Sequence, residues 1–176
     1  MTDTKTQLLD AAAGLAQTRG YNGFSFHDLS AQVGIKTASI HYHFPTKAML
    51  VESLVHRYID NFFDALGQAD VGPPEACLER YVGLFQRSLG EGRMCLCGMM
   101  GAEIGDLPAS VAGAVRSFFD ANLDWLTHVY ERMGARQAAT RAQLLLATLE
   151  GAMMMARVSQ DAAGFDSVAR AAIARE

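Results

Sequence analysis

The chain has 176 residues, half of them apolar and 19% charged, which excludes a disordered chain and allows a proper core without staples. The longest apolar runs fall well short of the ~18 residues of a membrane helix, and Met1 is followed by a polar stretch, Thr2 to Asp10, so neither a membrane span nor a signal peptide is expected. Three cysteines without a secretory signal point to a reducing cytoplasm rather than a disulfide scaffold. Net charge is -4, but it is unevenly spread: residues 1–57 hold five bases and four acids, and the remainder ten bases and fifteen acids. A weakly basic end on an acidic body remains compatible with DNA if its few cations are aimed at phosphates.

The chain reads as all-α, because apolar residues recur at three and four rather than at two. Thr4 is expected to cap a first helix bearing Leu8, Leu9, Ala12, Leu15 and Ala16, which stops at Gly20. After a connector, Ser25 is expected to cap a second helix with Asp28 as its acidic partner, and Gly34 ends it. Thr37 is expected to cap a third helix to Phe44, stopped by Pro45. Thr46 then caps a fourth over 46–67, with Leu50, Leu54, Tyr58, Phe62 and Leu66 on one face. Further helices are expected over 75–89, about 108–133, about 136–160 and 165–175, with a short Gly-interrupted one in 94–105. The division implied is an N-terminal three-helix domain, 1–48, and a C-terminal helical domain, 49–176.

Residues 25–50 carry the strongest signal. Two short helices flank a turn at Gly34, Ala31 occupies the position expected for close helix approach, and Val33, Ile35 and Ile40 are spaced to seal the pair. This is the layout of a helix-turn-helix, whose second helix enters the major groove. Its outward side chains are expected to be Lys36, Thr37, Ala38, Ser39, His41, Tyr42 and His43. The alternative use of such a hairpin is a protein contact without DNA binding.

Gly34, Ile35, Thr37, Ser39, Ile40, Tyr42, His43, Phe44, Lys47 and Leu50, with Gly20-Tyr21 and the run Phe26, Leu29, Ala31 upstream, give residues 5–55 a pattern that resembles the DNA-binding end of TetR/AcrR-family transcriptional regulators. The chain departs from it at His41, where the family usually has Tyr. The resemblance implies that Ser25 and the backbone at its helix start hold a phosphate. It implies that Lys36, Thr37, Ala38 and Ser39 face bases, that His41 and Tyr42 meet backbone or thymine, and that His43 and Lys47 anchor phosphates, with Phe26 and Phe44 sealing the small core. It also implies a homodimer on a double-stranded palindromic operator, built on the last two helices, where residues 144–156 are apolar nearly all round and Ala147, Gly151 and Ala152 allow close approach, the alternative being a central core helix in a monomer. A small apolar or electrophilic effector would release a repressor of this kind from DNA.

The effector candidates are Tyr58, Phe62, Tyr81, Phe85, Cys97, Met99, Met100, Phe118, Phe119, Asn122, Trp125 and Met153, residue types that line adaptable apolar cavities and that equally make ordinary core. Cys95 and Cys97, near Arg93 and a helix start, are the candidate sensing thiols, with buried packing as the alternative. Cys77 is expected in the core. No cofactor and no metal site is expected, and no nucleophile elbow, phosphate loop or paired acidic motif points to an enzyme. The pairs Asp120 with Asp124 and Glu103 with Asp106 read as solvated faces.

Overall fold

A computed structural model describes residues 3–174, and its chain runs as α1 (Thr4–Arg19), α2 (Phe26–Val33), α3 (Thr37–His43), α4 (Lys47–Leu66), α5 (Pro74–Gly90), α6 (Leu96–Gly101), a 3-10 turn (Ile104–Asp106), α7 (Ala109–Arg132), α8 (Ala138–Ser159) and α9 (Ala162–Ile173). No strand occurs among the described residues. The chain divides into two compact units, Met1–Asp60 with Leu96–Ser117, and Asn61–Cys95 with Phe118–Glu176. The helices expected of the N-terminal domain all lie in the first unit. That unit also takes in the first part of α4 and the stretch from α6 into α7.

Local signals set most of the boundaries. Ser25 caps α2 in a full capping box with Asp28, and Gly34 ends it in the left-handed conformation, at φ 75°. Thr46 Oγ1 accepts from the Met49 amide and so caps α4 as expected. Thr4 and Thr37 do not act as caps. They are already the first helical residues, after Asp3 and Lys36, whose side chains make no cap bond. Helix α9 starts three residues earlier than expected, because the Asp161 carboxylate accepts from the Ala163 amide and caps it there. The end expected for that helix, residue 175, lies outside the described residues.

In the first unit Leu8, Ala12, Leu15 and Ala16 of α1 are buried together with Leu29, Ile40, Phe44, Leu50 and Leu54. Ala31 corrects an expectation: it is exposed. Two residues along a helix are ~200° apart around it, so Ala31 sits opposite Leu29, and Leu29 is the residue that goes inward. In the second unit α5, α8 and α9 pack on one another around Leu78, Val82, Leu145, Leu149, Phe165 and Ala169.

Gly34 and Gly83 separate backbone strain from packing. A Cβ at either position would meet nothing within 4 Å, but only Gly34 has a positive φ. Gly34→Ala is therefore expected to lose ~1 kcal/mol to left-handed strain. Gly83→Ala, inside α5, is expected to gain ~0.5–1 kcal/mol. Urea denaturation of both variants checks the opposite signs.

Candidate functional site

The second helix of the hairpin offers its outer face. Lys36, Ala38, Ser39, His41 and Tyr42 are exposed, Tyr42 at 85%, while Thr37 and His43 are half-buried. Ile40 and Phe44 turn the other face into the core at 0% and 3% exposure. His41 is fixed on two sides: its Nδ1 lies 3.1 Å from the Pro45 carbonyl, and its ring meets Phe26 edge-on at 4.9 Å. Phe26 is only half-buried, so Phe44 seals this small core and Phe26 serves chiefly as the platform for His41.

Ser25 is engaged in its capping box with Asp28, as expected. Its hydroxyl donates to Asp28 Oδ2 at 2.6 Å, and the same oxygen accepts from the Ser25 amide at 2.7 Å. These bonds, the hydroxyl's first, hold the Asp28 carboxyl below the usual carboxylate range, so it is ionised at neutral pH. The start of α2 thus carries a negative charge of its own, favourable at a helix N-terminus.

Lys47 is held within the chain. Its Nζ donates to the carbonyls of Tyr21 and Phe24, between rings whose centroids lie 4.5 and 4.4 Å away. Burial pushes its ammonium pKa down, against the opposing pull of Glu103 and Asp28. The geometry is that of an internal strut. Glu103, expected on a solvated face, accepts from the Tyr21 amide at 2.8 Å, the Asn22 amide at 3.0 Å and Asn22 Nδ2 at 2.8 Å. Nothing local in the sequence marks it, since its partners lie more than 80 positions away.

Several effector candidates meet inside the second unit. Phe62 meets Phe118, Tyr81 and Phe85 edge-on at 5.2, 5.9 and 6.2 Å, and Tyr81 stacks on Trp125 at 5.7 Å. Phe119 adjoins Phe118. Tyr81 donates to Asn122 Oδ1 at 2.7 Å, and the Asn122 amide donates to the Phe118 carbonyl. Tyr58, Cys97 and Met100 belong to the first unit. Grooves of about 440 Å³ near Arg93, Met94 and Arg157, and about 660 Å³ near Tyr130, Leu144 and Thr148, take in none of the expected effector residues.

All three thiols are buried, Cys95 at 2%, Cys97 and Cys77 at 0% exposure. The setting expected of a reactive thiolate, accessible and flanked by a cation, is not found at Cys95. Arg93 pairs instead with Glu91, at 3.4 Å, and the Cys95 thiol hydrogen-bonds to the Glu150 carboxyl. The other Glu150 oxygen, Oε1, is buried without a partner. Burial pushes the Glu150 pKa up, and the Cys95 bond offsets that only in part. Among the described residues no group of three or more His, Cys, Asp or Glu side chains could hold a metal ion, and no helix is long and apolar enough to cross a membrane.

Comparison with known proteins places this geometry in company. The sequence profile described as bacterial regulatory proteins, tetR family, matches residues 8–54. The crystal structure of a TetR-family transcriptional regulator from Agrobacterium tumefaciens is 34% identical over 96% of this chain and 95% of its own, with a TM-score of 0.91. The transcriptional repressor KstR2 of Rhodococcus jostii is 32% identical over 59 residues, 34% of this chain and 29% of its own length. The negative regulator of the icaADBC biofilm operon of Staphylococcus epidermidis, IcaR, is 34% identical over 62 residues, 35% of this chain and 34% of its own. The chain thus spans about a third of the length of these two curated relatives.

Glu150 gives a pH test of the interior. Its folded pKa lies above the unfolded one, so ionisation opposes folding as pH rises out of the ordinary glutamate range. Glu150→Gln keeps an acceptor for Cys95 and removes the charge. The variant is expected to match wild type near pH 4 and to become progressively more stable than wild type towards pH 7, read from urea midpoints across that range.

Proposed function

The chain belongs to the TetR family of bacterial transcriptional regulators, a family of regulators and not of enzymes, and from that premise we propose that it is a dimeric, effector-controlled repressor in the cytoplasm. The observation that carries this reading is the outward face of α3, where Lys36, Ala38, Ser39, His41 and Tyr42 stand exposed on a helix fixed from behind by Ile40 and Phe44. Such a face suits base edges and phosphates in a major groove. The reading head is assigned to 1–48, with effector binding and dimerisation in 49–176. Within the head, Lys36, Thr37, Ala38 and Ser39 are assigned to bases, and His41, Tyr42 and His43 to backbone or thymine.

One hairpin reads too few base pairs to be selective in a genome. A two-fold dimer reads two half-sites ~34 Å apart, or at a multiple of that. An exposed apolar strip on α8, formed by Leu144, Met154, Met155 and Val158 at 58–81% exposure, supports pairing with a second copy. Repression is the sign carried by the names of KstR2 and IcaR.

The effector is assigned to the aromatic cluster of Phe62, Tyr81, Phe85, Phe118, Asn122 and Trp125, as a small apolar molecule. Burial of Cys95 and Cys97 favours this over thiol chemistry as the trigger. To release DNA the ligand must bind the released conformation more tightly than the DNA-bound one.

A gel shift on the DNA upstream of the protein's own gene tests the reading. Wild type is expected to shift it, and Tyr42→Ala to weaken binding ~10-fold or more, on the scale of one lost base contact, with the dimer unchanged. Release by an apolar effector is expected to persist in the Cys95→Ser/Cys97→Ser variant. If only a quinone or aldehyde releases DNA, and only from wild type, control passes to the thiols.

A further inference from the structure

The connector from Gly20 to Phe24 is held by opposite charges on its two kinds of backbone group. The Glu103 carboxylate takes the amides of Tyr21 and Asn22 and the side chain of Asn22. The Lys47 ammonium takes the carbonyls of Tyr21 and Phe24 and lies between their rings. The two charges attract each other. The carboxylate also fills the space beside Gly20, where a Cβ would lie 2.0 Å from Glu103 Oε1. The next residue after the connector is Ser25, the cap of α2, and α2 carries α3 through the Gly34 turn.

We propose that Glu103 and Lys47 form a two-charge clamp that fixes the orientation of the α2–α3 hairpin, so that both are positioning residues for DNA binding and neither touches DNA. The proposal rests on the DNA-binding reading of α3. Glu103 lies between α6 and the 3-10 turn, and α6 packs on α1 within the same unit. A rearrangement of α6 therefore reaches the backbone that enters α2 through this carboxylate as well as through α1.

Two signs separate the clamp from plain electrostatics. Removing an acid from a DNA-binding unit strengthens DNA binding when only net charge matters, whereas loss of the clamp weakens it. Removing a lysine that neutralises a phosphate lowers the slope of log affinity against log salt by ~0.9 per phosphate, whereas loss of a strut lowers affinity and leaves the slope as it was.

The experiment is a fluorescence-anisotropy titration between 50 and 200 mM salt, on the duplex that the wild-type protein selects from a random pool. Dimer mass and thermal unfolding are followed in parallel. Glu103→Ala is expected to bind ~10-fold more weakly, equivalent to ~1.4 kcal/mol, with an unchanged salt slope. Glu103→Gln, near-isosteric and keeping one acceptor, is expected to fall between it and wild type, and it carries the test if the alanine variant does not fold. Lys47→Met is expected to lose affinity at constant slope. Binding by Glu103→Gln as tight as wild type or tighter overturns the clamp, and so does a shallower slope in Lys47→Met. A wild type that selects no duplex fails the DNA reading itself, and the clamp with it.

Discussion

Two helices of eight and seven residues carry the surface proposed to read DNA, and neither is long enough to stand alone in water, where helices below ~12 residues are marginal. Everything around them supplies what length does not. The capping box of Ser25 and Asp28 satisfies amides at the start of α2, and the left-handed Gly34 ends it. Ser30 donates to the Ile35 carbonyl across the turn at 2.6 Å. Leu29, Ile40 and Phe44 bury the inner face. The side chains of Glu103 and Lys47 then hold the backbone that enters α2. A surface meant to meet another molecule cannot use its outer face for stability, so the inner face and the ends must do all of it.

The same economy applies to charge. Residues 1–57 hold five bases, and four of them have partners within the chain. Lys47 holds carbonyls, Arg57 pairs with Asp10 at 2.8 Å, Arg19 lies 3.8 Å from Asp28, and Lys5 sits over the Phe44 ring. Lys36 stands exposed at the start of α3. Under the proposed function, affinity then depends on hydrogen bonds from a rigid, correctly oriented α3 more than on a broad basic field. This places the burden on the elements that orient it. It also explains why a unit with almost no net charge remains compatible with a nucleic-acid partner, because phosphate contacts depend on where cations and amides point rather than on their sum.

What was legible in the sequence is what local chemistry writes there. The helix order, the Ser25–Asp28 box, the Gly34 stop and the Thr46 cap all arise from residues within a few positions of each other. Ala31 shows the limit of a spacing argument without a phase: its size suited a helix contact, but its angle from Leu29 sent it to solvent. Glu103 and Glu150 show another limit. Both are acids on helix-like patterns, and their partners, Tyr21, Asn22 and Cys95, lie more than 50 positions away in the chain. No periodicity encodes such a pairing. Lys47 fitted the pattern of the family and still points inward, because the carbonyls of Tyr21 and Phe24 and two aromatic faces offer its ammonium more than an exposed rotamer does.

The interior of the second unit sets a condition on any effector. The rings of Phe62, Tyr81, Phe85, Phe118 and Trp125 already contact one another edge-on or stacked, and such pairs contribute ~0.5–1.5 kcal/mol each beyond their burial. A ligand entering there must replace these contacts before it gains anything, which favours a flat or aromatic molecule able to rebuild them. Its polar neighbours differ in kind. Tyr81 and Asn122 already satisfy each other, whereas Glu150 keeps a buried oxygen without a partner. A hydrogen-bond donor on the ligand would displace nothing at Glu150 and would have to break a bond at Asn122. Under the proposed function, an apolar ligand that rebuilds the ring contacts and also supplies that missing donor would gain the most from this core, and its differential affinity for the two states would set release.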